Sequence, residues 1–250
     1  MQETAFANMD VKILEVPTIG ETVFQNIKQR ILEGKLLPGQ RLKVRELAAQ
    51  LGFSEMPIRD SLLRLESHGV VTNKPHAGYV VREWSVNDVR EMYELREMGE
   101  GLAAKLSAER ATEKQIQSCK EILDEMAKNV SLYKECTDEK QRLAISEKVE
   151  RLDVKFHRAI LIMSGNKQLN QIFSIITDRE FIVLGAYAID KRHVLGDISD
   201  LFLEKHRNML QLIENKDAEG AEKAVRNHIA NARAGILKFL SENPKLSLKR

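Results

Sequence analysis

A chain of 250 residues holds one large domain or two small ones. With 43% hydrophobic and 30% charged residues it can bury a core and stay soluble, and 5% aromatic residues with 5 prolines suit long helices better than a β-sandwich. No run of about 18 apolar residues occurs, which excludes a membrane-spanning helix, and a net charge of +2 says little about partners until its distribution is known.

Residues 1–17 carry no basic segment followed by an apolar run, so they read as a flexible leader rather than a signal peptide. Residues 18–83 read as helix, helix, turn, helix and two short strands. Val23, Ile27 and Ile31 share a face of the first helix, which stops at Gly34 before a Pro38-Gly39 turn. Val44, Leu47, Ala48 and Leu51 repeat the pattern in a short second helix, and Gly52 ends it as a left-handed cap. Ser54 opens a third helix that tolerates Pro57 in its first turn. Its Ile58, Leu62 and Leu65 face the core, and Gly69 closes it. The β-branched runs on either side of Pro75-His76-Ala77-Gly78 predict a hairpin.

Residues 84–240 read as helical throughout. Ser85 with Asp88 and Thr112 with Gln115 resemble capping boxes at the heads of the first two helices. The polar stretch near 130–145 has no clear period. Amphipathic helices follow at about 146–163, 167–188 and 199–214, and Asp217 caps a last helix to about Leu240. Residues 241–250 read as a frayed tail. Cys119 and Cys136 make no CxxC pair and read as free thiols of a reducing cytoplasm.

The short helix, Gly turn and second helix form a helix-turn-helix pattern, and two strands after it make a wing. The second helix of such a motif can present its N-terminal side chains to base edges in the major groove. Ser54, Glu55, Met56 and Arg59 lie at that end, off the buried stripe. Arg59 offers a bidentate fork to a guanine or a phosphate. Arg45 on the preceding helix and Lys74 in the wing can reach the backbone or a groove, and His76 and Gly78 mark the wing tip. Residues 18–82 hold ten Lys or Arg against six Asp or Glu, an excess of four that suits phosphate binding. Glu55 runs against this, because a carboxylate repels phosphate unless it accepts from a cytosine amine.

Four ionisable residues interrupt apolar stripes in the second region. Asp153 and His157 sit i, i+4 among Val149, Leu152, Phe156 and Ile160. His206 sits among Phe202, Met209, Leu210 and Ile213. His228 sits among Ala221, Ala224, Val225, Ile229 and Ala232. A lone buried carboxylate is costly. One divalent ion of the Zn²⁺, Ni²⁺ or Mn²⁺ type would compensate it, with neutral imidazoles as fellow ligands. Helical bundles build metal sites from facing helices in this way. Each histidine taken singly is equally compatible with a hydrogen-bonded core residue. Arg96 repeats the theme between Met92, Leu95, Gly99 and Ala103. An organic-acid ligand could answer its charge. Glu100, at i, i+4, is the rival partner. The same constellation suits a metallohydrolase, but no second carboxylate is well placed as a general base.

These residues carry a family resemblance covering about 18–240. The stretch Ile31–Val81 resembles the winged-helix domain of GntR-family regulators, through the Pro38-Gly39 turn, the Arg45–Gly52 helix and Pro57–Leu62. The second region resembles the FCD effector domain of the FadR branch, through Asp153–His157, Ser164-Gly165-Asn166, Glu204–His206 and Asn227-His228-Ile229. The resemblance implies a homodimer that reads a short palindromic operator in double-stranded DNA, more often as a repressor than as an activator. It places Arg45, Ser54 and Arg59 at DNA, and Asp153, His157, His206 and His228 on the metal. Arg96 and Asn166 fall where the family lines its effector cavity, and the implied effectors are small carboxylates. The chain departs from the family where Glu55 replaces a usual Arg, Met56 a usual Thr and Ala77 a common wing Arg. Those changes imply an atypical operator, or contacts shifted to the leader and wing.

The resulting expectation is a mainly α, cytoplasmic, non-enzymatic transcription regulator with one divalent metal and a small organic-acid effector. Two other readings stay open: a regulator that answers to the metal itself, and a metalloenzyme with an accessory helix-turn-helix.

Overall fold

The computed structural model describes residues 18–186 and 198–243. The expected leader and residues 244–250 of the expected tail lie outside the described residues, as do the last two positions of the helix expected at 167–188.

The N-terminal unit follows its apolar stripes. Helix α1 (Ile19–Leu32) is capped by Thr18, whose hydroxyl accepts from the Glu21 amide, and it buries Val23, Phe24, Ile27 and Ile31. Helix α2 (Val44–Leu51) buries Leu47 and Ala48 and ends at Gly52, whose φ of 74° is left-handed. Helix α3 (Glu55–Ser67) lays Ile58, Leu62 and Leu65 into the same core. Ser54 stands at its N-cap, but its side chain makes no capping hydrogen bond. Strands β1 (Val71–Lys74) and β2 (Gly78–Val81) pair antiparallel from Val71↔Val81 to Lys74↔Gly78. Arg41 adds a further bridge to Val80, an edge that hydrophobic periodicity does not signal.

The passage to the second unit is held tightly. Trp84 is buried, and the Arg82 guanidinium lies over its ring at 4.3 Å while pairing with Asp88 at 2.7 Å. Helix α4 (Val86–Arg110) opens on the Ser85/Asp88 capping box, and α5 (Glu113–Glu135) on that of Thr112/Gln115. Helix α6 (Glu139–Met163) starts earlier than the expected 146, with Asp138 as its cap. Its first turns are largely exposed, so no apolar stripe betrays them. Helix α7 (Lys167–Ala186), α8 (Asp200–Glu214) and α9 (Ala218–Glu242) complete the described elements, α9 running two residues into the expected tail.

Helix α4 is the central element. It packs along α9 and also meets α6, α7 and α8, while α5 lies against α6 and α8. Leu95, expected on its inward face, is 54% exposed, whereas Met92, Arg96, Gly99 and Ala103 are buried. Gly99 allows the close approach of α7, since a Cβ there would lie 1.8 Å from the Phe173 ring. Farther along α7, Arg179 Nε donates to the His68 carbonyl at 2.6 Å, beside the glycine that follows α3. Among the described residues no helix is long and apolar enough to cross a membrane.

Candidate functional site

The second unit gathers its misplaced polar residues at one point. Asp153 and His157 come from α6, His206 from α8 and His228 from α9, and one ligand atom from each lies within 4.8 Å of all the others. Asp153 Oδ1 is 2.7 Å from His206 Nε2 and 3.7 Å from His157 Nε2, and His157 Nε2 is 3.3 Å from His228 Nε2. Ligands about 2.0–2.2 Å from a zinc-like ion lie roughly 3–4.4 Å apart, so the cluster is near the scale of a coordination shell, with Asp153 and His206 drawn in to hydrogen-bond distance. Phe156 and Phe202 pack against the His206 ring at centroid distances of 5.1 and 4.4 Å and fix its plane.

The donor set fits a cation chemically as well. His206 Nδ1 lies 2.8 Å from the Phe202 carbonyl, which aims Nε2 at Asp153 Oδ1, 2.7 Å away. His157 Nδ1 lies 2.8 Å from Glu100 Oε2, so its Nε2 faces the cluster too. Burial, with His206 and His157 alongside, pushes His228 well below the ordinary histidine range and keeps it neutral. Burial alone would raise Asp153, but the His206 hydrogen bond and the neighbouring rings hold it well below the usual carboxylate range. Burial opposes a charge on His157 as well, yet the Glu100 carboxylate beside it raises it above the ordinary histidine range. Three imidazole nitrogens and a carboxylate oxygen thus converge, joined in pairs by the Asp153–His206 and His157–His228 contacts. A divalent cation would satisfy all four.

Glu100 is the residue that sequence reasoning undervalued. It does pair with Arg96, as the i, i+4 spacing suggested, with Arg96 Nε 2.7 Å from Oε1 and both side chains buried. Its other oxygen lies 2.8 Å from His157 Nδ1, a charge contact without hydrogen-bond geometry that sets a carboxylate behind the ring. Burial would raise Glu100, but Arg96 and His157 hold it down at about 2. The available signal was its place beside Gly99 on the inward face of α4. Asn166 lies at the head of α7, where Oδ1 accepts from the amides of Gln168 and Leu169, both at 3.1 Å.

The winged-helix face is arranged differently. Arg45, Ser54, Met56, Arg59, Lys74 and His76 are exposed, and Glu55 and Gly78 are partly so. His76 and Gly78 take left-handed φ of 62° and 71°, which shapes the wing tip. Lys74 sits 3.9 Å from Glu83. Glu55 contacts two exposed arginines, at 3.2 Å from Arg45 Nε and 2.9 Å from Arg59 Nη2.

Two family models match this architecture. The model for the bacterial regulatory proteins of the gntR family matches residues 19–81, and that of the FCD domain matches residues 91–231. The chain is a GntR-family transcriptional regulator with an FCD domain. Among its relatives is the HTH-type transcriptional regulator YdhC of Bacillus subtilis (strain 168), 28% identical over 88% of this chain and 92% of that protein. The "Probable D-xylose utilization operon transcriptional repressor" of Paenarthrobacter nicotinovorans is 27% identical over 88% and 89%. A solved structure of E. coli McbR/YncC superposes with a TM-score of 0.66 at 22% identity, covering 89% of this chain and 98% of that one. The GntR family and these relatives are regulators, which sets aside the metalloenzyme reading. FCD membership agrees with the helical second unit, and the gntR match with the helix-turn-helix and its wing.

Proposed function

We propose that this GntR regulator is a homodimeric repressor whose affinity for a short palindromic operator is set by a small carboxylate bound beside a divalent ion. The observation that supports it most is the convergence of Asp153, His157, His206 and His228 within 4.8 Å inside the FCD domain. A bound six-coordinate ion would supply a Lewis-acid anchor for a carboxylate oxygen, because four protein ligands would leave two of its positions open. Arg96 biases the surroundings toward an anion, and Glu100 holds that guanidinium and the His157 ring in fixed relation. Asn166 caps α7 through its side-chain oxygen, and its amide NH2 is the group assigned to the ligand. For such a ligand to regulate, it must bind one arrangement of the two DNA-reading heads better than the other.

On the operator, Arg59 reads a base edge and Arg45 and Lys74 position the protein on phosphate, with Ser54, Met56, His76 and Gly78 lining the contact. Elemental analysis and mass spectrometry of the purified protein test the first half. One divalent ion per chain is expected, and it should be lost in His157→Ala and His206→Ala. Wild-type stoichiometry in both variants would refute the site. For the second half, Arg59→Ala should cost about 1–3 kcal/mol on the operator and less on scrambled DNA. Arg45→Ala and Lys74→Ala should weaken both DNAs alike and lower the salt slope by about one. Equal weakening of both DNAs by Arg59→Ala would make that residue a phosphate clamp.

A further inference from the structure

Both guanidiniums expected to meet DNA are held by one carboxylate. Glu55 Oε1 lies 3.2 Å from Arg45 Nε, and Oε2 lies 2.9 Å from Arg59 Nη2. Arg45 belongs to α2 and Arg59 to α3, so the carboxylate spans the helix-turn-helix at the end that enters a groove. The side chains are 90%, 59% and 40% exposed for Arg45, Arg59 and Glu55, so these are solvated pairs that exchange readily. The Arg59 contact, reinforced by Arg45, keeps Glu55 below the usual carboxylate range.

We infer that Glu55 is a specificity-determining residue: it competes with every duplex for Arg45 and Arg59, and a site compensates it by presenting an exocyclic amine, cytosine N4 above all. The inference rests on α3 being the recognition helix. On any duplex the arginines must leave Glu55 to reach phosphate or guanine, and the freed carboxylate then faces the negative potential of the backbone. That repulsion offsets part of the gain from counterion release. A cytosine amine in the major groove donates to a carboxylate and so restores the loss at one base position. Discrimination then comes from a repulsive element as much as from the attractive ones beside it.

The test uses the full-length protein. Wild type, Glu55→Ala and Glu55→Gln are each taken through selection on short duplexes with randomised centres. Their affinities for the wild-type-selected duplex and for a scrambled one are then measured across salt concentrations. Both variants should bind scrambled DNA more tightly, with a steeper salt slope by about one per reading head. The preference for the selected duplex should fall about tenfold, the equivalent of one lost base contact. Wild-type sites should fix a cytosine at one position that the Glu55→Ala sites leave open. Glu55→Gln keeps the shape and removes the charge, so agreement between the variants assigns the effect to the charge. If wild type selects sequence and the variants match it in both base preference and scrambled-DNA affinity, the role of Glu55 is overturned. If wild type selects no sequence at all, the recognition-helix reading fails first.

Discussion

Glu100→Gln separates the two tasks of one buried carboxylate. The substitution keeps size and one carbonyl acceptor but removes the charge that Arg96 and His157 face at 2.7 and 2.8 Å. The Arg96 and Glu100 side chains are 7% and 3% exposed. Breaking such a pair from one side costs about 3–5 kcal/mol, and the retained acceptor favours the lower end. For a chain of this size about 3 kcal/mol lowers a melting midpoint by roughly 6–12 °C. Loss of the orienting carboxylate behind a metal-binding histidine weakens metal affinity by about 10–100-fold. Melting of the metal-stripped protein reads the first effect, and zinc titration against a competing chelator reads the second. The double variant Arg96→Met, Glu100→Gln removes the orphaned charge, so it should regain much of the stability while keeping the weak zinc binding. A single variant with wild-type midpoint and wild-type zinc affinity would refute both roles. Recovery of zinc affinity in the double variant would show that Glu100 acts through folding alone.

Two further outcomes follow from the same packing. Gly99→Ala places a Cβ 1.8 Å from the Phe173 ring, so it should destabilise by about 1–3 kcal/mol; adding Phe173→Leu should restore part of this in urea melts, and an unchanged midpoint for the single variant would contradict the contact. Acid titration gives the other. Glu100 is lowered from 4.5 to about 2, and Asp153 is also lowered. A depressed carboxylate stabilises the fold above its unfolded value, and that contribution is lost as pH falls through the folded one. Glu100 therefore contributes about 3 kcal/mol at neutral pH that disappears between pH 4.5 and about 2. Circular dichroism of the metal-free protein should show this loss, and Glu100→Gln should flatten it; equal acid sensitivity of the two proteins would contradict the assignment.

The candidate metal cluster was legible because α6, α8 and α9 each bury a stripe, and a charged or imidazole side chain on a stripe stands out against its apolar neighbours. What periodicity cannot supply is which stripes face one another. Asp153 and His206 are 53 residues apart, and His157 and His228 are 71 apart, yet they touch. The second role of Glu100 was hidden for that reason: the contact with His157 crosses from α4 to α6, while its pairing with Arg96 runs along one helix. Glu55 follows the same rule, since its pair with Arg59 is local and its contact with Arg45 crosses the turn. The early start of α6 was missed for the opposite reason. Its first turns are mostly solvent-facing, and an exposed helix carries no hydrophobic period to read. The caps were readable because they are local: Ser85 with Asp88 and Thr112 with Gln115 satisfy amides three residues away.

Helix α7 acts mechanically as a strut. Phe173 presses on α4 at Gly99, one residue from Glu100, and Arg179 grips the carbonyl at the end of α3. Six residues of α-helix separate them, about 9 Å along the axis, and their side chains leave the helix roughly 240° apart. The rod is therefore clamped on two different sides, near the cluster at one contact and at the end of α3 at the other. A hydrogen-bonded helix this short barely stretches or twists, so a shift imposed at Phe173 arrives at Arg179 almost undiminished, as rotation or translation of the whole rod.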